Sequence, residues 1–323
     1  MTLAILIATT TLLGPGPESP RPAEGMDAII APGAAPEVIV SGLKFSEGPV
    51  WEPGTGGSAG ALLFSDIPAQ TIYRWTEGRA GADARPEIFR TPTGHANGLT
   101  IDKDGRVLAA EHDGRVTRRS LDGKMETLAE KFDGKSLNSP NDLCVQSDGT
   151  VWFTDPTYGL RPALGSGGRK QELEFCGVYR LGPGGVLTLA SKEMTAPNGI
   201  ALSPDESTLY VADTSKGEIR AFAVTAGGTL GEGRLFADMK TPEGPRAGQS
   251  AGPDGVKVDA KGNVYCAAYR GVWVFDPAGR QIGLIRIPEK PTNLCFGGAD
   301  MKTLFVTTGQ SVYKVPVKIA GRR

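Results

Sequence analysis

From residue 36 onward the chain alternates short apolar runs with polar turns, and the alternation recurs six times. The recurring units are SEGPVWEPG…ALLFSD (46–66), ANGLTIDKDGRVLAAE (96–111), PNDLCVQSDGTVWFTD (140–155), PNGIALSPDESTLYVAD (197–213), PDGVKVDAKGNVYCAA (253–268) and TNLCFGGADMKTLFVTT (292–308). Each gives an apolar strand, a turn built on Asp, Gly or Ser-Pro-Asp, and a second apolar strand. Asp and Asn tolerate the left-handed backbone and Gly supplies positive φ, so each unit reads as a hairpin. Helical periodicity is not evident over any long stretch.

Polar residues head the six units: Glu47, Asn97, Asn141, Asn198, Asp254 and Asn293. Their spacings of 50, 44, 57, 56 and 39 residues suit four-stranded propeller blades. A single twisted sheet leaves a face exposed, whereas radially stacked sheets bury one another. The pattern therefore predicts an all-β fold, a six-bladed β-propeller of four-stranded antiparallel blades, as one domain over residues 36–319. The strand-like PEVIVS (36–41) and the last strand QSVYKVPV (310–317) predict ring closure, with the N-terminal strand joining the final blade.

The first 35 residues break the pattern. Leu3 to Leu13 is an apolar run, too short to span a bilayer and of the length of a signal-peptide core. On that reading the protein is periplasmic or secreted. No Lys or Arg precedes the run and no A-x-A site follows it, which fits a cytoplasmic protein with a tail instead. Residues 14–35, rich in Pro, Gly and Ala, read as a linker outside the fold.

Composition narrows the partners. With 35 basic against 36 acidic residues and no polybasic stretch, nucleic acid is excluded as a partner. The sequence offers no integral membrane span and says nothing of oligomeric state. The four cysteines (Cys144, Cys176, Cys266, Cys295) form no C-x-x-C pair and read as reduced thiols packed as small hydrophobes; pairing stays open if the chain is exported.

If each unit is the innermost hairpin of its blade, the six heading residues form a ring at one mouth of the channel. Singly, Asn or Asp before Gly is most often a turn former. Six side-chain oxygens converging on one axis, two of them carboxylates and none accompanied by imidazole or thiolate, suit a hard cation instead. Ca²⁺ fits best, with Mg²⁺, Mn²⁺ and Zn²⁺ as alternatives. The returning strands bring Asp66, Glu111, His112, Asp155 and Asp213 to the same mouth, where some of them are expected to orient ligands by hydrogen bonding. His112 is read as pocket wall or proton relay against a plain structural hydrogen bond, and His95 similarly. No G-x-S-x-G is present, which disfavours a Ser–His–Asp mechanism. The loop from Thr157 to Phe175, carrying Tyr158, Arg161, Arg169 and Lys170, is either a lid over a polyhydroxy or anionic ligand or an ordinary solvated loop. Thr241 to Gly252 is a second long loop leading to Asp254.

SEGPVW, NGLTIDKDGRVLAAEH, NSPNDLCVQSDGTVWFTDPTYG, GVYRL, PNGIALSPDESTLYVADT and PDGVKVDAKGNVY, in this order, resemble the gluconolactonase/regucalcin-like family over about residues 36–317. The resemblance is strongest to its bacterial gluconolactonases. It implies a six-bladed propeller with a channel metal on Glu47, Asn141, Asn198 and Asp254. It also implies a hydrolase acting on carboxylic esters that opens a sugar lactone such as gluconolactone, a role in carbohydrate metabolism. The metal would polarise the carbonyl, and Asp254 or a metal-bound water would activate the attacking water. Asn97, Glu111, His112, Tyr158 and Asn293 are the expected substrate contacts. Regucalcin-type members carry a substrate-contacting Arg two residues before the third-blade Asn; here that position is Ser139, so their contacts do not transfer. The alternatives are a phosphotriesterase-like hydrolase acting on organophosphates and a non-catalytic propeller, either a scaffold or a calcium-binding regulator.

Overall fold

The computed structural model describes residues 25–54, 59–78, 85–165, 167–240 and 252–322. Six four-stranded antiparallel sheets follow one another along the chain. Their innermost strands are Ser46–Glu52, Ala96–Ile101, Leu143–Val145, Pro197–Leu202, Val256–Val258 and Pro291–Gly297, and they neighbour one another around a common axis. This is the six-bladed propeller that the repeat predicts.

Burial explains why each unit reads as it does. The second strands lie between neighbouring blades and are covered on both faces. Ala61–Asp66, Val107–Glu111, Val151–Asp155 and Val264–Ala268 are buried at every position, which is why they read as nearly continuous apolar runs. The outermost strands, such as Glu87–Arg90 and Met125–Ala129, are largely exposed and lose the apolar pattern. Between blades 2 and 3 the core is led by Phe153 stacked on Tyr179, ring centroids 5.2 Å apart. Between blades 5 and 6 it is led by Tyr265 edge-on to Phe296 at 5.1 Å.

Closure takes the expected form. Strand Glu37–Ser41 pairs antiparallel with Ser311–Pro316, the register running Glu37 with Lys314, Val38 with Tyr313, Val40 with Val312 and Ser41 with Ser311. One blade thus joins the two ends of the fold. Deleting residues 36–42 exposes that edge and removes a ladder worth about 1 kcal/mol per hydrogen bond. The melting temperature is expected to fall by roughly 10 °C; an unchanged midpoint in a thermal scan would sink the closure assignment.

The linker expectation needs correction over its described part. Residues 26–30 pack on blades 5 and 6 rather than lying outside the fold. Ile29 is buried with Tyr265, Leu294 and Val317 around it, and its carbonyl accepts the Lys318 N–H at 2.7 Å. An isolated Ile-Ile pair in a Pro/Gly-rich stretch gives no periodic signal, so its burial was invisible to pattern reading. The Leu3–Leu13 run and most of the Thr241–Gly252 loop fall outside the described residues. No described helix is long and apolar enough to cross a membrane. All four cysteines are free, and burial pushes the Cys144 thiol up to about 12, consistent with inert packing.

Candidate channel site

The ring residues stand where the innermost strand begins. Glu47, Asn97, Asn198 and Asn293 lie just inside their strands, and Asn141 and Asp254 sit two residues ahead of theirs. In blades 1, 2, 4 and 6 the pairing with the second strand slips at this point, between Glu47 and Val50, Ala96 and Leu99, Pro197 and Ile200, and Pro291 and Asn293. Such a bulge bends the strand and re-aims the side chain.

The glycine after most ring residues is there for close approach, not for a turn. A β-carbon on Gly48 would lie 1.9 Å from the Asn97 carbonyl oxygen, and one on Gly199 would lie 2.2 Å from the Asp254 carbonyl. The neighbouring blades are stitched at the same level. The Gly98 N–H donates to the Asn141 carbonyl at 2.8 Å and the Gly199 N–H to that of Asp254 at 3.1 Å. The hydroxyls of Ser65, Thr154 and Thr292 donate to the carbonyls of Asn97, Asn198 and Ser46, each at 2.8 Å. The turn-former reading of these Asn-Gly and Asp-Gly pairs therefore gives way to a ring fixed by its own backbone.

Among the described residues, Glu47, Asp142 and Asp254 lie within electrostatic reach of one another. Burial holds Glu47 well above the usual carboxylate range; Asp254 and Asp142 add to the rise, and the Gly48 N–H, 2.9 Å from Oε2, and the Asn293 amide oppose it. Burial likewise raises Asp254, with the Lys290 ammonium and the Asn198 amide partly offsetting it and Asp142 reinforcing it. Asp142 itself accepts from the Leu143 N–H at 2.9 Å, the Lys257 ammonium at 3.2 Å and the Asn293 amide at 3.3 Å.

Two desolvated carboxylates in electrostatic contact are relieved by a shared proton or by a cation. Among the described residues no three His, Cys, Asp or Glu side chains cluster as a metal-holding group. A cation here would have to rest on Glu47 and Asp254 completed by amide oxygens. That all-oxygen donor set fits a hard divalent ion and not a soft one.

The residues expected behind the ring divide. Asp66 accepts the N–H groups of Lys44 and Phe45, Asp155 those of Asn138 and Ser139, and Asp213 those of Thr195 and Ala196. They pin the loop entering each innermost strand rather than touching the ring side chains. Glu111 is a correction. Its buried carboxylate is engaged by Arg90 of blade 1 at 2.7 Å and by Thr117 and Arg115 of its own blade at 2.6 and 2.5 Å, so it is turned into the seam between blades 1 and 2 rather than toward a ligand. His95 pairs with Asp113 at 3.0 Å.

His112 does reach the ring. Its Nδ1 lies 2.6 Å from the Leu164 carbonyl, which only accepts, so Nδ1 carries the proton and Nε2 accepts from the Asn97 amide at 3.0 Å. Burial pushes the imidazole down to about 4, so the ring is neutral at physiological pH. Asn97 is left with its Oδ1 buried and without a partner among the described residues. Tyr158 stands beside Asn198, Thr214 and Asp254; its buried hydroxyl likewise lacks a well-formed hydrogen bond.

The described part of the Thr157–Phe175 loop is anchored at Gly159 and Arg169, while Arg161 and Lys170 stay exposed as in a solvated loop. Arg169 donates to the carbonyls of His112, Leu137 and Asn138, and the Gly159 N–H donates to Ser139 Oγ at 3.0 Å. Arg161 lies over the Tyr158 ring, 5.7 Å from its centroid. Arg169 is thus occupied by backbone and is not a ligand-facing cation.

Pattern reading missed Asp142, Lys257 and Lys290. The first two left a signal. Asp142 occupies the place held by Gly after four of the other five ring residues, and Lys257 interrupts an otherwise apolar V-K-V strand. Lys290 gave none, since it sits in an ordinary polar turn.

A six-bladed propeller with an acidic, amide-lined channel mouth is the class this chain defines. It belongs to the SMP-30/gluconolactonase/LRE-like family, whose model matches residues 45–310. A gluconolactonase of Zymomonas mobilis is 34% identical over 94% of this chain and 86% of its own. A pentonolactonase of Haloferax volcanii is 29% identical over 84% of each chain. The solved gluconolactonase of Xanthomonas campestris superposes with a TM-score of 0.79 at 35% identity, covering 91% of this chain and 92% of that one.

Proposed function

We propose that this protein is a divalent-cation-dependent lactonase that opens sugar lactones of the aldonolactone type. The observation that carries the reading is the buried Glu47–Asp254 pair among amide side chains, in a chain whose relatives include a gluconolactonase and a pentonolactonase. Ca²⁺ is the cation best matched to two carboxylates and neutral oxygens. Glu47, Asn141, Asn198 and Asp254 would hold it, and when bound it would supply Lewis-acid polarisation of the lactone carbonyl.

The chain's own residues supply the remaining steps. Asp254 takes a proton from water as the water oxygen attacks the carbonyl carbon. The ring C–O bond then breaks, and the same carboxyl returns the proton to the leaving alkoxide. The product is the hydroxy acid. Asn198 holds Asp254 through its amide, and Tyr158 flanks both. Asn97 and Asn293 complete the wall for the sugar hydroxyls.

A pH-stat assay of aldonolactones tests this reading. Acid release should fall by at least about 100-fold on chelation and return with Ca²⁺. Metal binding without acid release would favour a calcium-binding regulator instead. Acid release indifferent to chelator would remove the cation from the scheme.

A further inference from the structure

We propose that His112 is a positioning residue, latched by the Leu164 carbonyl, that turns the Asn97 amide so that its oxygen rather than its nitrogen faces the substrate. An amide presents two chemically opposite ends, and nothing in Asn97 itself chooses between them. His112 chooses. Its Nδ1 proton is fixed on the Leu164 carbonyl at 2.6 Å, so Nε2 has a lone pair to offer and accepts Asn97 Nδ2 at 3.0 Å. Asn97 Oδ1 is then the free end, and the residue is only 3% exposed. A buried acceptor with no partner costs about 1–3 kcal/mol, which a donating ligand hydroxyl would recover.

The latch belongs to the loop over the mouth. Leu164 follows the short helical turn Tyr158–Leu160, and the loop is seated on His112 from two further sides. Arg169 donates to the His112 carbonyl at 3.2 Å, and a β-carbon on Gly159 would lie 2.4 Å from His112 Cβ. The same loop brings Tyr158 to Asn198 and Asp254. Seating the loop therefore sets both the Tyr158 wall and the Asn97 amide. The chemical consequence is a preference for ligands that donate. A hydroxylated lactone can satisfy Asn97 Oδ1, whereas a fully esterified phosphate, with acceptors alone, cannot.

The inference rests on the lactonase reading for its substrate but not for its geometry, so the experiment has two arms. In the first, ¹⁵N NMR of the wild-type protein should report His112 as the Nδ1–H tautomer. The Nε2–H tautomer would overturn the proposal whether or not any lactone is opened. In the second, kinetics compare a hydroxylated aldonolactone with an unsubstituted lactone of the same ring size. His112→Ala should raise KM for the hydroxylated lactone about tenfold or more, leave the unsubstituted lactone within about twofold, and leave Ca²⁺ affinity unchanged by calorimetry. His112→Gln, whose amide oxygen can replace Nε2 as acceptor, should recover part of the loss. Equal losses on both lactones, tracking a lowered melting temperature, would show a merely structural histidine and overturn the proposal. Failure of the wild type on every lactone would sink the lactonase reading while leaving the tautomer result standing.

Discussion

Replacing Asp254 with Asn is expected to leave the propeller folded and to reduce lactone turnover by about 10²–10⁴-fold, the range for losing a positioned proton acceptor. The substitution is nearly isosteric, and the Asp254 backbone that accepts the Gly199 N–H at 3.1 Å is untouched. Repulsion from Glu47 and Asp142 is relieved, so the melting temperature of the cation-free protein should hold or rise. The effect should appear in kcat more than in KM, because the proton moves only in the transition state. Activity within tenfold of wild type on every lactone tested would remove Asp254 as the base. A large fall in melting temperature would instead place it in the fold.

The second large effect falls on stability. Gly48→Ala should destabilise the protein by about 2–4 kcal/mol, combining overpacking with a left-handed β-carbon. Gly48 has φ +51°, and its added carbon would meet the Asn97 carbonyl at 1.9 Å and Gly98 Cα at 2.7 Å. Blades 1 and 2 would have to part at the ring itself. A fall of roughly 5–10 °C in melting temperature is the expected readout. Gly184→Ala is the control, because nothing lies within 4 Å of that position and its φ is ordinary; equal behaviour of the two variants would refute the close-approach account.

These glycines also mark how much of the molecule was legible. Blade number, blade order and closure were readable because a propeller repeats one physical problem six times, and VWFTD or VYCAA shows a strand covered on both faces. The ring positions were readable for the same reason, as oxygen-bearing residues at or just ahead of the start of each innermost strand. What lay behind the ring was not. Asp66, Glu111, Asp155 and Asp213 look alike in sequence, each closing a second strand, yet three cap backbone and Glu111 pairs with one arginine of its own blade and one of blade 1. The difference depends on Arg90 and Arg115, whose direction no strand pattern encodes. Arg169 misled in the opposite sense, since a basic loop residue suggests a ligand while its hydrogen bonds are spent on carbonyls. The Asn97–His112–Leu164 chain joins residues 15 and 52 positions apart, a link that only the folded ring brings together.

The blade that joins Glu37–Ser41 to Ser311–Pro316 also bears on the order of events during synthesis. Its first strand leaves the ribosome among the earliest parts of the domain, and its partner is among the last. Until residue 316 emerges, five blades can stack while two raw edges stay open, one on each side of the gap. Pairings of such long sequence separation are slow to form, and open strand edges invite foreign strands. The nascent chain is therefore most exposed to aggregation late, just before completion, when nearly all of its apolar surface has been made. Chaperone demand should concentrate on that final interval.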